Sequence, residues 1–242
     1  MSKLLCLAIL FAAALTGVTP SFAGPVELHH RLHVATGEST HDVAITLDAC
    51  GAGYDADLIE FLIAQRIPAT IFVTKRWLDR NPIGSAVLLQ HPDLFELEDH
   101  GTAHVAALMS VQSGIHGVPG EPDLAHLRAE VLGAAAAIVR SSGKAPRFYR
   151  GAGAIYDAPA IAQIEALGFR IAGFSVNADN GATLSAVQVA TRLRRVQAGD
   201  IVIAHMNKPA GGTAEGFAAA LPELLRRGLR FIKLSEARLV PA

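Results

Sequence analysis

The sequence is poor in cysteine, in aromatic residues and in clustered charge. Two cysteines in 242 residues exclude a small scaffold held together by disulfides. The 21 basic residues are balanced by 22 acidic ones, and no stretch is rich in lysine and arginine, which argues against nucleic-acid binding driven by phosphate neutralisation. Hydrophobic residues make up 51% of the chain and charged residues 18%, which excludes a disordered or coiled-coil protein. A globular domain with a sizeable core remains.

The first 23 residues have the pattern of a secretory signal peptide. Lys3 gives a positive start, Leu4–Leu15 is apolar, and a small-x-small cleavage site precedes Gly24. The apolar run is shorter than the roughly 20 residues of a membrane span, so we expect no stable membrane insertion. The predicted mature protein is exported, to a periplasm or out of the cell. Cys6 leaves with the leader, and a lone Cys50 in an oxidising compartment is expected to lie under a structured site.

The remaining chain reads as a lead-in over residues 24–40 and a single domain over residues 41–242. Short β-rich runs alternate there with helical patterns, which predicts a mostly parallel sheet covered by helices. The seven predicted strands are Val43–Leu47, Ala69–Val73, Leu94–Leu97, Arg147–Tyr149, Arg170–Phe174, Ile201–Ala204 and Arg230–Lys233.

Polar residues follow five of these strands. They are Asp48, His100 with His104, Arg150, Asp179 and His205. Parallel strands share one carboxyl-terminal face, and a barrel brings these strand ends round one centre whereas an open sheet spreads them along a line. We therefore favour a barrel with a site at that face. Each residue has a structural explanation by itself, as a turn cap, a surface ion pair or a core histidine, but the meeting of these residues from five strands at one face argues for chemistry.

The histidine pair suggests a metal site. In a helical turn, residues i and i+4 face the same way, so His100 and His104 would bind one ion together. The structural alternative is two solvated loop histidines.

These residues, in this order, resemble the five motifs of the polysaccharide deacetylase family, the NodB-homology or carbohydrate esterase family 4 (CE4) group. The stretches 68–74 and 199–207 resemble its second strand and its fifth motif, and the likeness covers roughly residues 41–236. The resemblance implies a distorted (β/α)7 barrel. It also implies an enzyme that removes acetyl groups from N-acetylated or O-acetylated sugar units of a polysaccharide.

The resemblance assigns a role to each site residue. A divalent metal, Zn²⁺ by preference, is held by His100 and His104, and Asp48 is the general base. Arg150 pairs with Asp48 and keeps it ionised, since a nearby cation favours a charged carboxylate.

On the leaving-group side, His205 is the general acid, and Asp179 orients its imidazole. Gly153 is the candidate for the backbone N–H that stabilises the oxyanion, and Ile203 belongs to the substrate-binding motif.

The sequence departs from the family pattern in its first motif. Two adjacent aspartates are usual there, the base and then a metal ligand, whereas this chain has Asp48-Ala49. Asp55, Asp57 and Asp99 are the candidates to replace the missing ligand.

Two other functions stay open. A metal-independent amidase acting on a small non-sugar amide would explain the departures, and a non-catalytic carbohydrate or cell-wall binding module would keep the barrel without the chemistry. A sugar-binding module is expected to present aromatic platforms, and one tryptophan and three tyrosines supply few of them.

Overall fold

The computed structural model describes residues 24–33, 41–51, 53–110, 113–115 and 117–242. The predicted signal peptide lies outside the described residues. The strands are β1 Val26–Glu27, β2 His30–Leu32, β3 Asp42–Ala49, β4 Ala69–Val73, β5 Phe95–Asp99, β6 Phe148–Tyr149, β7 Ile155–Tyr156, β8 Arg170–Ile171, β9 Val176–Asn177, β10 Ile201–His205, β11 Arg230–Ile232 and β12 Leu239–Pro241. The helices are α1 Ala56–Ala64, α2 Lys75–Arg80, α3 Pro82–Gln90, α4 Leu124–Ser142, α5 Ala158–Ala166, α6 Ala186–Leu193 and α7 Thr213–Arg226, with short 3₁₀ turns at Ala152–Ala154 and Leu234–Glu236.

A curled parallel sheet forms the centre of the domain. Its strand order is β8-β6-β5-β4-β3-β10-β9, and β11 pairs with the start of β3. The central strands β3 and β4 are buried almost throughout because helices cover the sheet, as expected for parallel strands. The main sheet has eight strands, and β8 and β9 together stand where one strand was predicted. Counted in this way, the seven predicted strands are present. The predicted (β/α)7 barrel is confirmed.

The fifth predicted strand, Arg170–Phe174, differs from the structure. Instead β8 pairs with β6, β9 pairs with β10, and the residues between them link the two ends of the sheet. The carbonyl oxygens of Ala172 and Gly173 accept hydrogen bonds from the Arg150 guanidinium, at 3.0 and 3.3 Å. A buried side chain therefore takes the place of a neighbouring strand at this point of the barrel.

The lead-in residues pack on the barrel. β1 pairs with β7, and β2 pairs with β12, both antiparallel. A β-carbon on Gly173 would collide with the backbone of Leu28, so the lead-in crosses close to the break between β8 and β9.

The largest apolar cluster lies between the sheet and its covering helices. It contains Val43, Ile45, Leu47 and Ala49 of β3 together with apolar residues of α1, α6 and α7. The side chains of alternate residues, including Thr46 and Asp48, therefore point to the inside of the barrel. Among the described residues, no helix is both long and apolar enough to span a bilayer.

Candidate active site and metal centre

The predicted site residues converge at the carboxyl-terminal ends of the strands. In the pairing of β10 with β3, His205 lies directly opposite Asp48. Both line a cleft of about 700 Å³, together with Cys50, His104 and Gly153. Ile203 also lines this cleft, and His100 lies at its base, where its Nε2 is 3.7 Å from Oδ2 of Asp48.

Asp48 and Arg150 form a buried ion pair. Nη1 of Arg150 donates to Oδ1 of Asp48 at 2.9 Å and to Oγ1 of Thr46 at 2.8 Å, and the guanidinium lies 4.2 Å from the centre of the Phe72 ring. Burial raises the pKa of Asp48, but the charge of Arg150, followed by those of His100 and His205, outweighs burial and holds that pKa below its usual value. Asp48 is therefore an ionised carboxylate at the cleft.

His205 and Asp179 form a second pair beside the first. Asp179 is completely buried, and its carboxylate accepts from the ring Nδ1 of His205 at 2.9 Å, from the His205 backbone N–H at 2.7 Å and from Oγ1 of Thr213 at 3.0 Å. Burial lowers the pKa of His205, but the hydrogen bonds to Asp179 and Cys50, together with the charges of Asp179 and Asp48, outweigh burial and hold that pKa well above the usual value. The imidazole is thus held in one orientation, with Nε2 directed away from Asp179.

The histidine pair is brought together by a loop, so the predicted helical turn is wrong. Gly101 and His104 adopt positive φ angles of 83° and 66°, and the two imidazole rings lie 5.0 Å apart. A helix cannot contain such residues, and a non-glycine residue in this region is held there by its surroundings.

Glu130 holds this loop in place. Its buried carboxylate accepts hydrogen bonds from the backbone N–H groups of Ala103 and Val105, which flank His104. A β-carbon on Gly101 would collide with the same carboxylate, which explains the glycine. Our sequence analysis missed Glu130, although a charged residue on the buried face of α4 was a signal.

Three side chains could hold a metal ion: Cys50, His100 and His104, whose donor atoms all lie within 4.8 Å of one another. Nδ1 of His100 is 2.6 Å from the carbonyl oxygen of Arg150, which fixes the ring with Nε2 directed towards Cys50 and Asp48. Burial lowers the pKa of His100, but Asp48 and then Cys50 raise it to about 9. The donor set fits a divalent cation such as zinc, because a thiolate and two imidazoles are ligands that zinc commonly takes in proteins.

The three aspartates proposed as replacement ligands lie elsewhere. Asp55 caps α1 by accepting from the Leu58 N–H, Asp57 is exposed on α1, and Asp99 accepts from the Gly101 N–H at the end of β5. Cys50, which was expected only to be shielded by a site, is part of it. Its Sγ lies 3.2 Å from Nε2 of His100.

The profile of the polysaccharide deacetylase family matches residues 36–172, more than half of the chain. The chain belongs to the polysaccharide deacetylase family. A search of curated proteins finds no match.

Several solved structures that share the fold are described as CE4 family proteins or as deacetylases. The Bc1960 peptidoglycan N-acetylglucosamine deacetylase aligns with a TM-score of 0.70 and 19% identity, over 82% of this chain and 88% of its own. A family 4 acetyl xylan esterase from Clostridium thermocellum, solved with a cobalt ion, aligns with a TM-score of 0.65 and 20% identity, over 81% and 89%. A CE4 family pseudoenzyme from Bacillus anthracis aligns with a TM-score of 0.68 and 16% identity, over 82% of this chain and 65% of its own. The fold therefore carries both active and inactive members of the polysaccharide deacetylase family.

Proposed function

We propose that the protein is an exported hydrolase that removes acetyl groups from N-acetylated or O-acetylated sugar units of a polysaccharide, by metal-assisted general acid/base hydrolysis. One observation carries this proposal. An ionised carboxylate, Asp48, and an imidazole oriented by a buried carboxylate, His205, lie side by side on neighbouring strands in one cleft, beside a set of metal-binding donors. A base and an acid within reach of one reacting carbonyl are what amide or ester hydrolysis needs.

His100 and His104 would hold the metal, which we expect to be Zn²⁺. A bound divalent ion would polarise the acetyl carbonyl and lower the pKa of a coordinated water. Asp48 then accepts the proton of the attacking water. Arg150 keeps Asp48 ionised for this step, and its further bonds to Thr46 and to backbone carbonyls leave it one orientation.

His205 supplies the proton for the leaving group. Asp179 and, through it, Thr213 keep the ring in the orientation that directs Nε2 at the cleft. An amine or alkoxide leaves readily only when it is protonated, which gives His205 its part in either amide or ester cleavage.

Gly153 and Ile203 would contact the acyl group. Gly153 lies in the 3₁₀ turn after β6, at a positive φ of 72°, and lines the cleft. Its backbone N–H is our candidate donor to the oxyanion. Ile203, on β10 two residues before His205, would form the apolar wall beside the acetyl methyl group.

The cleft wall indicates how sugar would bind. Among the described residues that line the cleft, Phe174 is the one Phe, Tyr or Trp. The lining also includes the polar side chains of Asn177, Asn180, Thr183 and Lys208. We therefore expect sugar hydroxyls to be bound by hydrogen bonds more than by stacking. This wall favours an enzyme over a sugar-binding module built on aromatic platforms.

Acetate release is the test. The zinc-loaded protein is incubated with N-acetylglucosamine oligomers, peptidoglycan, acetylated xylan and small N-acetyl amides, alongside Asp48→Asn and the control Asp57→Asn, which changes an exposed aspartate. We expect acetate from at least one sugar polymer with the wild type and Asp57→Asn, and a loss of about 100-fold or more with Asp48→Asn. Release only from small amides would favour the amidase, and release from none would favour the binding module.

A further inference from the structure

We propose that the thiolate of Cys50 is the third protein ligand of the metal, and that this Cys-His₂ centre selects zinc or cobalt over magnesium, calcium and manganese. The inference deepens the proposed function, because it concerns the metal that this function requires. It adds a ligand type that differs from the carboxylate expected after Asp48.

The direction of the β3 side chains selects Cys50 over its neighbour. Asp48 points to the inside of the barrel, where it binds Arg150, and Ala49 is completely buried in the apolar cluster outside the sheet. Continued alternation returns the next residue to the inner face. Cys50 accordingly lines the cleft, on the same side as Asp48.

The donor geometry is that of a site nearly closed around an ion. Zinc–sulfur bonds of about 2.3 Å and zinc–nitrogen bonds of about 2.0–2.1 Å at tetrahedral angles place the donor atoms roughly 3.5 Å apart. Sγ of Cys50 and Nε2 of His100 are 3.2 Å apart, and all three donors lie within 4.8 Å. The donor separations therefore exceed the tetrahedral spacing by no more than about an ångström.

Each ligand is held by a further contact. Nδ1 of His100 lies against the Arg150 carbonyl, and Glu130 fixes the loop that carries His104. The Cys50 carbonyl oxygen accepts from Oγ1 of Thr74 at 3.2 Å and from Nη2 of Arg76 at 3.3 Å, which fixes the backbone from which the thiol projects. Such supporting contacts are typical of built metal sites.

The donor set determines which metal is preferred. Thiolate is a soft ligand and imidazole suits zinc and cobalt, whereas magnesium, calcium and manganese prefer oxygen donors. Cys50 and His104 both face the cleft, so the fourth position would open towards the substrate. Three protein ligands with an open fourth position are the usual arrangement of a catalytic zinc site.

Cobalt spectroscopy tests the ligand without any turnover. The protein that remains after the predicted signal-peptide cleavage, residues 24–242, is stripped of metal with a chelator, titrated with Co²⁺ and examined for a sulfur-to-cobalt charge-transfer band. Cys50 is the one cysteine of that range, so Cys50→Ser and Cys50→Asp remove its thiol, and Asp57→Asn, which changes an exposed residue, is the control. We expect the band in the wild type and in Asp57→Asn, and its complete loss in both Cys50 variants.

Zinc affinity is measured by competition with a chromophoric chelator, with folding of every variant checked by circular dichroism. Changes to groups that merely support a ligand cost 10–100-fold in affinity, so we expect Cys50→Ala to lose about 100-fold or more. Cys50→Asp should recover part of that loss without the band, which separates a lost ligand from a misfolded protein. Magnesium at millimolar concentration should not displace cobalt from the wild type.

Three results would overturn the proposal: bound cobalt without the band, a band that survives Cys50→Ser, or unchanged zinc affinity in Cys50→Ala. A stable acetyl thioester on Cys50 of the zinc-loaded protein, formed with an activated acetate ester, would also overturn it. That product would assign Cys50 as a nucleophile working with His205. Because these readouts need no sugar substrate, failure of the proposed deacetylase activity would leave the metal result intact, and the reverse holds.

Discussion

Replacing Arg150 by methionine should remove about 3–5 kcal/mol of folding free energy. Arg150 is completely buried, and its partner Asp48 is only 3% exposed. Removal of one member of a buried ion pair leaves the other charge without compensation, which costs about 3–5 kcal/mol. The variant also leaves the carbonyl oxygens of Ala172 and Gly173 without their donor, so the break between β8 and β9 loses its support.

Urea unfolding measures this loss. The single tryptophan, Trp77, is completely buried and donates its indole N–H to the Gly53 carbonyl near the cleft, so its fluorescence reports on unfolding. Arg194→Met is the matched control, because it removes an exposed pair with Glu223 and should cost at most about 1 kcal/mol. A double-mutant cycle with Asp48→Asn should give a coupling energy of about 1–3 kcal/mol. A cost below about 1 kcal/mol for Arg150→Met, or an additive cycle, would refute the account of this pair.

Three further predictions concern single residues. Burial raises the pKa of Glu98 from its ordinary value of 4.5 to about 8. The stability contributed by the protonated form is therefore present below about pH 4.5 and falls as pH rises to about 8, by at most about 1.4 kcal/mol per pH unit. Glu98→Gln should flatten this slope in urea unfolding, and an unchanged slope would contradict the prediction. Asp179→Asn should lower kcat about 100-fold with little change in KM, because the His205 ring loses the carboxylate that orients it. An unchanged kcat with a raised KM would contradict this role, and circular dichroism checks that the variant is folded. Gly216→Ala should destabilise the protein by about 1–3 kcal/mol in thermal or urea unfolding, since the new β-carbon would lie 2.5 Å from the Val189 side chain; a neutral or stabilising effect would show that α6 and α7 can separate.

The barrel could be predicted from the sequence because its strands are continuous apolar runs. The run Val43–Leu47 lies within β3, which extends to Ala49 because it pairs with β4 up to that residue. The strand Arg170–Phe174 could not be predicted correctly, since its central carbonyls bind a guanidinium from a residue some twenty positions earlier. β1 and β2 have too few residues, and too little buried surface, to give a pattern.

The site could be predicted as a set of residues but not as a geometry. The spacing of His100 and His104 suggested a helix, whereas positive φ angles and the Glu130 carboxylate build a loop. A helical turn and the observed loop both bring the two imidazoles together, so the rings are close, as predicted, although the predicted helix is wrong. Cys50 could have been found from the sequence. It directly follows β3, and continued alternation places it on the same face as Asp48, two residues earlier. Glu130 depends on a long-range contact that spacing alone does not reveal.

Single-turnover acetate release by the zinc-reconstituted protein tests the central claim most directly. The chelator-treated protein is given one equivalent of Zn²⁺ and mixed with the sugar polymer that the substrate panel identifies, beside Asp48→Asn at the same zinc loading. The account predicts no acetate from the metal-free protein, release on addition of zinc, and a loss of about 100-fold or more in the variant. Equal release by the metal-free and zinc-loaded proteins, or by the variant and the wild type, would contradict a metal-assisted mechanism with Asp48 as its base.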